Sequence, residues 1–322
     1  MTISAVVPVW NGRELLGKLL DSLERQTAPA AELLVVDNGS TDGAPQMAES
    51  RGARVIAMGR NAGFAPAVNR GIREARGEWI AVLNSDVELA PDYFARLSTT
   101  DAWFATGKIL SAADPGRIDG TFDAVSRGGV AWRVGNGCTD GPTFAVEQTI
   151  SLTPWTAALF RAELFRRAGL LEESFESYYE DVDFGLRCAA LQLEGRYIPE
   201  AVAWHRGSAT LGRWHPETVR RIARNQVLLL RRHFPPRLRF RWLWPIMVAQ
   251  GLWGAVALRH GAGWAWVSGK WEGLTRQPNT AEHTYLPEKV LKVLCRSGER
   301  LMRGAPGPYW RLYFLLTGGE AK

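Results

Sequence analysis

Four clusters along the chain carry side chains able to move a proton or hold a cation. They are Asp37-Asn38-Gly39-Ser40, Asn84-Ser85-Asp86, Glu180-Asp181-Val182-Asp183 and the lone His205. A carboxylate such as Asp86 and an imidazole such as His205 are hard and borderline ligands suited to Mn²⁺ or Mg²⁺ shared with substrate phosphates. Together they make a sparse site that fills only when a diphosphate arrives. Glu180, Asp181 and Asp183 stand within four residues. Two carboxylates that close raise one pKa, which is what a general base requires. Each cluster also has an ordinary explanation. Asn, Asp, Gly and Ser populate turns for backbone reasons, acids at a helix start complement the macrodipole or cap it, and most histidines are merely hydrogen-bonded. Position in the fold has to decide.

The elements that must position these groups are legible in the front third. Apolar, β-branched runs at 3–9, 32–37, 53–58 and 79–84 read as strands. Segments 13–26 and 64–76 have helical spacing, with Leu15, Leu16, Leu19, Leu20 and Leu23 on one stripe of the first. A short polar helix falls before 53. This alternation predicts an α/β fold with a mostly parallel sheet covered by helices on both faces. Ligands in such sheets sit beyond the carboxyl ends of the strands. Trp10-Asn11-Gly12, Asp37 to Ser40 and Asn84 to Asp86 all fall there. Residues 100–160, rich in Gly and Asp, show little regularity. A helix follows at 162–168, another runs through 174–193 after its acidic start, and a strand over 195–210 ends near His205.

Bulk properties exclude several classes. The chain has 322 residues and is 46% hydrophobic, enough for one large or two smaller domains. Cys138, Cys188 and Cys295 are few and far apart, so neither a disulfide framework nor a zinc site is expected, and a reducing cytosol is the default. No signal-peptide pattern opens the sequence. There is no GxGxxG after the first strand, no GxxxxGK[ST] and no GxSxG, which argues against a dehydrogenase, a P-loop ATPase and an α/β-hydrolase.

The charge is divided. Residues 1–204 have a balance of −8 and residues 205–322 one of +14. Residues 219–259 hold nine arginines and no acid, and more tryptophans follow at 264, 266 and 271. The uncharged run from Trp242 to Leu258 is 17 residues, the low limit for a spanning helix. Arg beside Trp predicts helices lying at an anionic membrane surface; the other reading is a helical subdomain folded back on the rest. No nucleic-acid motif accompanies the basic stretch, so no nucleic-acid partner is expected. Nothing in the sequence fixes the oligomeric state.

Several stretches, in order, carry a resemblance: "VVPVWNGRELLGKLLDSLERQ", "ELLVVDNGSTDGA", "NAGFAPAVNRGIREARGEWIAVLNSDVEL" and "SYYEDVDFGLRCAALQLEGRYIPEAVAWHRGS". Residues 3–210 resemble the family 2 glycosyltransferases of GT-A fold, most of all the rhamnosyltransferase-like branch. The resemblance implies a catalytic domain at 1–212, with a nucleotide-sugar half at 1–100 and an acceptor half at 101–212. A basic, Trp-rich helical region at 213–322 would follow. It implies that Pro8, Val9, Trp10, Asn11, Asp37, Asn61, Asn84, Ser85 and Asp86 bind the nucleotide sugar. Asn84 stands where many relatives carry the first acid of an Asp-x-Asp motif, which leaves Asp86 as the acidic metal ligand and His205 as the second. Of the acidic pair, Asp181 is the preferred catalytic base and Glu180 the second choice. The implied reaction is an inverting, metal-dependent hexosyl transfer from a nucleoside-diphosphate sugar. Mn²⁺ or Mg²⁺ is the expected cofactor. dTDP-rhamnose is the favoured donor, a UDP-sugar the other, and the acceptor is a glycan or lipid-linked glycan in surface polysaccharide synthesis. The expected location is cytoplasmic, on the inner face of the cell membrane. Two other readings stand beside it: a nucleotidyltransferase on a related sheet, for which "PVWNGRELL" lacks the Gly-rich, Lys-containing loop, and a non-catalytic membrane-associated protein that kept the fold.

Overall fold

A computed structural model describes residues 1–207, 212, 214–276 and 285–318. In chain order the strands and α-helices are β1 (Ile3–Val9), α1 (Arg13–Glu24), β2 (Glu32–Asp37), α2 (Ala44–Ser50), β3 (Arg54–Ala57), α3 (Phe64–Glu74), β4 (Trp79–Leu83), β5 (Val87–Leu89), α4 (Tyr93–Leu97), β6 (Phe104–Ser111), β7 (Ile118–Gly120), β8 (Asp123–Val125), β9 (Ala131–Arg133), β10 (Gln148–Ile150), β11 (Ala157–Arg161), α5 (Ala162–Ala168), α6 (Glu180–Ala190) and β12 (Gly195–His205). The basic rear part is helical: α7 (Pro216–His233), α8 (Pro236–Arg241), α9 (Leu243–Arg259), α10 (Gly263–Thr275), α11 (Glu288–Met302) and α12 (Pro308–Thr317).

The main sheet runs β10-β12-β6-β11-β4-β1-β2-β3. β1 lies parallel to β2 and β4, and β2 parallel to β3. β1 is buried along its whole length, because both faces of a parallel sheet are covered. Successive side chains take opposite sides. Val6, Leu34, Val36 and Val82 meet α3 in one core cluster, while Ala5, Val7, Val9 and Val35 meet α1 in another.

The stretch 100–160 turns out to supply strands. β11 runs antiparallel between β4 and β6, so the sheet is mixed on this side. β7 to β10 have three residues each. Strands that short, cut by Gly and Asp turns, leave no readable alternation. The helix expected through 174–193 begins only at Glu180, after a 3₁₀ turn at Glu173–Phe175.

The rear helices share cores with the sheet. Leu228, Leu229 and Phe234 of α7 and the turn after it cluster with Val125, Phe175, Val182 and Leu186. Val248 and Ala249 of α9 belong to the main core cluster. α7 and α10 touch closely, since a Cβ at Gly269 would lie 2.2 Å from the Arg220 carbonyl oxygen. Among the described residues, no helix is long and apolar enough to cross a membrane. The expected strand end at 208–210 and the expected boundary residue Arg213 lie outside the described residues.

Candidate active site

Three turns meet at the carboxyl edge of β1, β2 and β3. Val9 pairs with Asp37 at the strand ends. Asn11 adopts a left-handed φ of 58°, which Asn tolerates better than most residues. Its amide donates to Ser40 Oγ at 2.8 Å, and its Oδ1 accepts from the Thr41 amide at 2.9 Å. The Asp37 carboxylate, mostly buried, accepts from the Ser40 amide at 2.9 Å. Asn38 Nδ2 donates to the Gly63 carbonyl at 3.0 Å, and Asn61 Oδ1 accepts from the Gly63 amide at 3.1 Å. The structure therefore groups Pro8 to Asn11, Asp37 and Asn61 into one hydrogen-bonded edge.

Asn84, Ser85 and Asp86 follow β4, the neighbour of β1. The Asn84 amide donates to the Thr156 carbonyl at 2.8 Å. β5 turns back to pair antiparallel with the end of β12, placing Val87 opposite His205. Asp86 Oδ1 thereby stands 3.1 Å from His205 Nε2. On the other ring nitrogen, Nδ1 is 2.8 Å from Asp119 Oδ2. Asp119 in turn lies 3.7 Å from the Arg133 guanidinium, which reaches Asp123 at 3.7 Å and Asp181 at 4.0 Å. Arg133 also donates to Thr156 Oγ1 at 3.1 Å. One chain of polar contacts thus runs Asp86–His205–Asp119–Arg133–Asp181, joining two ends that lie far apart in sequence.

Asp119, Asp123, Arg133 and Thr156 are additions that the sequence reading did not make. β8 and β9 set Asp123 directly opposite Arg133 in register. An acid and a base facing across a short hairpin is the one signal that could have marked them.

Residues 4–167 match the model of the glycosyl transferase family 2. The chain belongs to that family. It is therefore an inverting glycosyltransferase that uses nucleotide-sugar donors. A relative, the N-acetylglucosaminyl-diphospho-decaprenol L-rhamnosyltransferase of Mycobacterium tuberculosis, is 29% identical over 226 residues, covering 62% of this chain and 74% of its own length. The putative glycosyltransferase EpsH of Bacillus subtilis is 35% identical over 103 residues, 30% of either chain. Among solved structures, GalNAc-T7 with UDP, GalNAc and Mn²⁺ superposes with a TM-score of 0.61 at 13% identity, over 86% of this chain and 58% of that one. The mannosyltransferase PcManGT of Pyrobaculum calidifontis, with GDP-Man and Mn²⁺, gives 0.51 at 17% identity, over 98% and 85%. At these identities the two structures show a shared fold, the GT-A fold.

The donor set of this glycosyltransferase fits a divalent cation. Asp86 and His205 Nε2 face each other, and Asp119 supplies the outer carboxylate that orients metal-binding imidazoles. Among the described residues no group of three or more His, Cys, Asp or Glu side chains forms a metal cluster.

The acids at the head of α6 have divergent environments. Burial raises the Glu180 carboxyl well above its ordinary value, and the Asp181 charge adds to it. Its Oε2 finds no partner among the described residues. Burial also raises Asp181, but the Arg133 guanidinium and the Val182 amide at 2.8 Å favour its charged form. Asp183 differs. Burial would raise it, yet Arg187, His233 and Arg232 outweigh that and hold it well below the carboxylate range. It is fully buried in an ion cluster tying α6 to α7, with His233 Nε2 at 2.7 Å and Arg187 Nε at 3.0 Å. Asp183 is therefore structural.

Asp123 is pushed up to about 7, by burial first and then by the Asp181 charge, against the pull of Arg133. A raised carboxyl contributes stability that is complete below its unfolded pKa of 3.8 and is lost as pH rises through about 7. Asp123→Asn should therefore melt higher than the parent at pH 8, by roughly 1–2 °C per kcal/mol relieved in a chain of this size. The gap should close towards pH 4. Melting curves at the two pH values check this, and a gap that widens at pH 4 contradicts it.

Proposed function

We propose that the enzyme transfers rhamnose from a nucleoside-diphosphate donor, dTDP-rhamnose, to a lipid-linked glycan in surface polysaccharide synthesis. The observation that carries the catalytic assignment is the contact chain from Asp86 and His205 through Asp119 and Arg133 to Asp181. Asp86 and His205 would hold Mn²⁺ or Mg²⁺, which when bound neutralises charge on the departing diphosphate. Pro8 to Asn11, Asp37, Asn61, Asn84 and Ser85 would cradle the nucleotide sugar. Asp181 takes the proton of the acceptor hydroxyl, making it nucleophilic. The donor's anomeric carbon is attacked in line from the side opposite the diphosphate, so configuration inverts without a covalent enzyme intermediate. Support for rhamnose and for a lipid-diphosphate acceptor comes from the name of the mycobacterial relative. The test is a panel of dTDP-rhamnose, UDP-GlcNAc and GDP-mannose with a polyprenyl-diphospho-GlcNAc acceptor and Mn²⁺ or Mg²⁺. Transfer from dTDP-rhamnose is expected; transfer only from another donor refutes that choice.

The rear helices support a peripheral membrane location on the cytoplasmic face. α10 packs on α7 through Gly269 and Gly273 and turns Trp264, Val267, Trp271 and Leu274 outward, at helical spacing. Trp264 is 81% exposed and Trp271 69%. α9 exposes Leu243, Trp244, Met247 and Leu258, and Trp244 Nε1 donates to the Leu316 carbonyl of α12, which exposes Leu312, Leu315 and Leu316. Arg237 and Arg241 of α8, Arg259 of α9 and Arg311 of α12 stand exposed as well. Apolar surface accompanied by exposed arginines fits the headgroup region of an anionic bilayer, at about 1 kcal/mol per basic residue. The protein should sediment with phosphatidylglycerol vesicles and be released by salt, and Trp264→Ala with Trp271→Ala should weaken binding. Equal binding to neutral and anionic vesicles would sink the electrostatic part.

A further inference from the structure

The five residues before the acidic pair have an uncommon backbone. Glu176, Tyr178 and Tyr179 adopt φ of 60°, 73° and 70°. Non-glycine residues enter the left-handed region only at a cost in steric strain, and such strain persists only where the surroundings enforce it. The enforcement comes from three consecutive, fully buried polar residues of α7: Arg224, Asn225 and Gln226. Asn225 Nδ2 reaches the carbonyls of Phe175, Ser177 and Tyr178 at 2.9, 2.9 and 2.7 Å, sharing its two hydrogens among the three. Its Oδ1 accepts from Arg224 Nε at 2.9 Å, which fixes the amide's orientation. Arg224 also donates to the Phe175 carbonyl at 2.8 Å and to Glu176 Oε1 at 2.9 Å. Gln226 Nε2 donates to the Tyr179 hydroxyl at 3.1 Å, while its Oε1 accepts from Lys270 Nζ at 2.7 Å.

The same segment touches the donor edge. The Ala65 amide donates to the Glu176 carbonyl at 2.9 Å, and the Phe64 amide to Ser177 Oγ at 3.1 Å. At Gly63, φ is 97° and a Cβ would lie 2.9 Å from the Glu176 carbonyl oxygen, so only glycine fits. On its other side, the Tyr179 carbonyl accepts from the Asp183 amide in the first turn of α6. Residues 175–179 therefore join the Asn61–Phe64 turn to the helix bearing Glu180 and Asp181.

We propose that Arg224, Asn225 and Gln226 are positioning residues that hold the strained 175–179 segment and thereby aim the base against the donor edge. The rear helices are then part of the catalytic machinery, beyond any role at a membrane. A buried polar side chain is costly unless bonded; on α7 most of these bonds go to the 175–179 segment, and the rest, Arg224 to Glu272 and Gln226 to Lys270, anchor the three residues to α10. A misplacement of about 1 Å can cost on the order of 10²-fold in rate, so a modest loosening is enough to register.

This inference rests on the reading of Asp181 as base, and the experiment separates the two. In the full-length chain, Asn225→Ala removes the amide that holds the three carbonyls and Arg224→Lys keeps charge but loses the fork. With dTDP-rhamnose as donor, each should lower kcat at least about tenfold, with a smaller rise in donor KM because the segment also braces the Asn61–Phe64 turn. The acid limb of the pH profile should move down towards the ordinary carboxylate range. Asp181 would then sit less firmly in its buried setting among Arg133, Asp123 and Glu180. Hydrogen exchange should quicken at 175–183 and at the Phe64 and Ala65 amides that bond to it, and stay unchanged elsewhere. A lower rate with an unmoved acid limb, or unaltered exchange at 175–183, overturns the proposal. If the parent turns over no donor, the functional reading falls and the exchange comparison still decides whether α7 holds this segment. Should Asn225→Ala fail to fold, Arg224→Lys carries the same measurements.

Discussion

Asp181→Asn is expected to lower glycosyl transfer by about 10²–10⁴-fold, the usual contribution of a positioned base, while nucleoside-diphosphate binding survives. Asparagine keeps the size of the side chain and can still accept from the Val182 amide. What disappears is the charge facing Arg133 and the ability to take a proton. The side chains of Asn11, Asp37 and Asn61 bond among the turns after β1, β2 and β3 rather than to Asp181, and should not respond. A base at Asp181 must be ionised to act, and burial holds that carboxyl above its ordinary value. Activity should therefore climb with pH through a range higher than that of a free aspartate, and the limb should vanish from the residual rate of the variant. Glu180→Gln makes the control. Glu180 is held more strongly in its neutral form, so replacing it with a neutral isostere should cost less than Asp181→Asn. Kinetics and calorimetry of the two variants settle the assignment. Donor affinity falling in step with activity counts against a base role for Asp181, and a dead Glu180→Gln beside an active Asp181→Asn exchanges the two residues.

The parts that were legible in the sequence are those with a strong local signal. β1, α1, β2, α3 and β4 announce themselves through period and apolar runs, and that rhythm alone puts Asp37 and Asp86 on the ligand edge. His205 at the end of a strand was also readable. Its meeting with Asp86 was not a local matter, because it depends on β5 folding back to pair with β12. Asp119, Asp123 and Arg133 were hidden for a related reason. They sit on or beside three-residue strands whose place is set by tertiary pairing with β6 and with each other. The rear helices show the opposite limit. Composition marked residues 242–258 as apolar and interfacial, yet could not tell inside from outside. α9 buries Val248 and Ala249 in the main core cluster and exposes Trp244 and Met247, a division that needs the neighbours to be visible.

Cation affinity should rise about tenfold per pH unit between pH 7 and 9, because the cation and a proton compete for His205. In the cation-free protein His205 is raised to about 9. Burial alone would lower it, but hydrogen bonds to Asp119 and Asp86, and their charges, outweigh burial. At pH 7 the ring therefore carries both protons, one towards each carboxylate. A cation held by Asp86 and Nε2 must displace the proton between them, so binding at pH 7 should release about one proton and none well above pH 9. Calorimetry with Mn²⁺ and a nucleoside diphosphate in two buffers of different ionisation enthalpy measures that proton directly. Stability gives an independent reading. A histidine raised from 6.5 to about 9 contributes stability that is complete below 6.5 and lost as pH rises through about 9. The metal-free protein should thus lose melting temperature across that window, and Mn²⁺ should restore it most at the alkaline end. Asp119→Asn removes the carboxylate on Nδ1, which should lower the His205 pKa and shift the window to lower pH. It should also weaken the cation by about 10–100-fold once the ring is neutral, the usual cost of losing an orienting carboxylate. An affinity that stays flat from pH 7 to 9, with no proton released, would place the cation elsewhere than between Asp86 and His205.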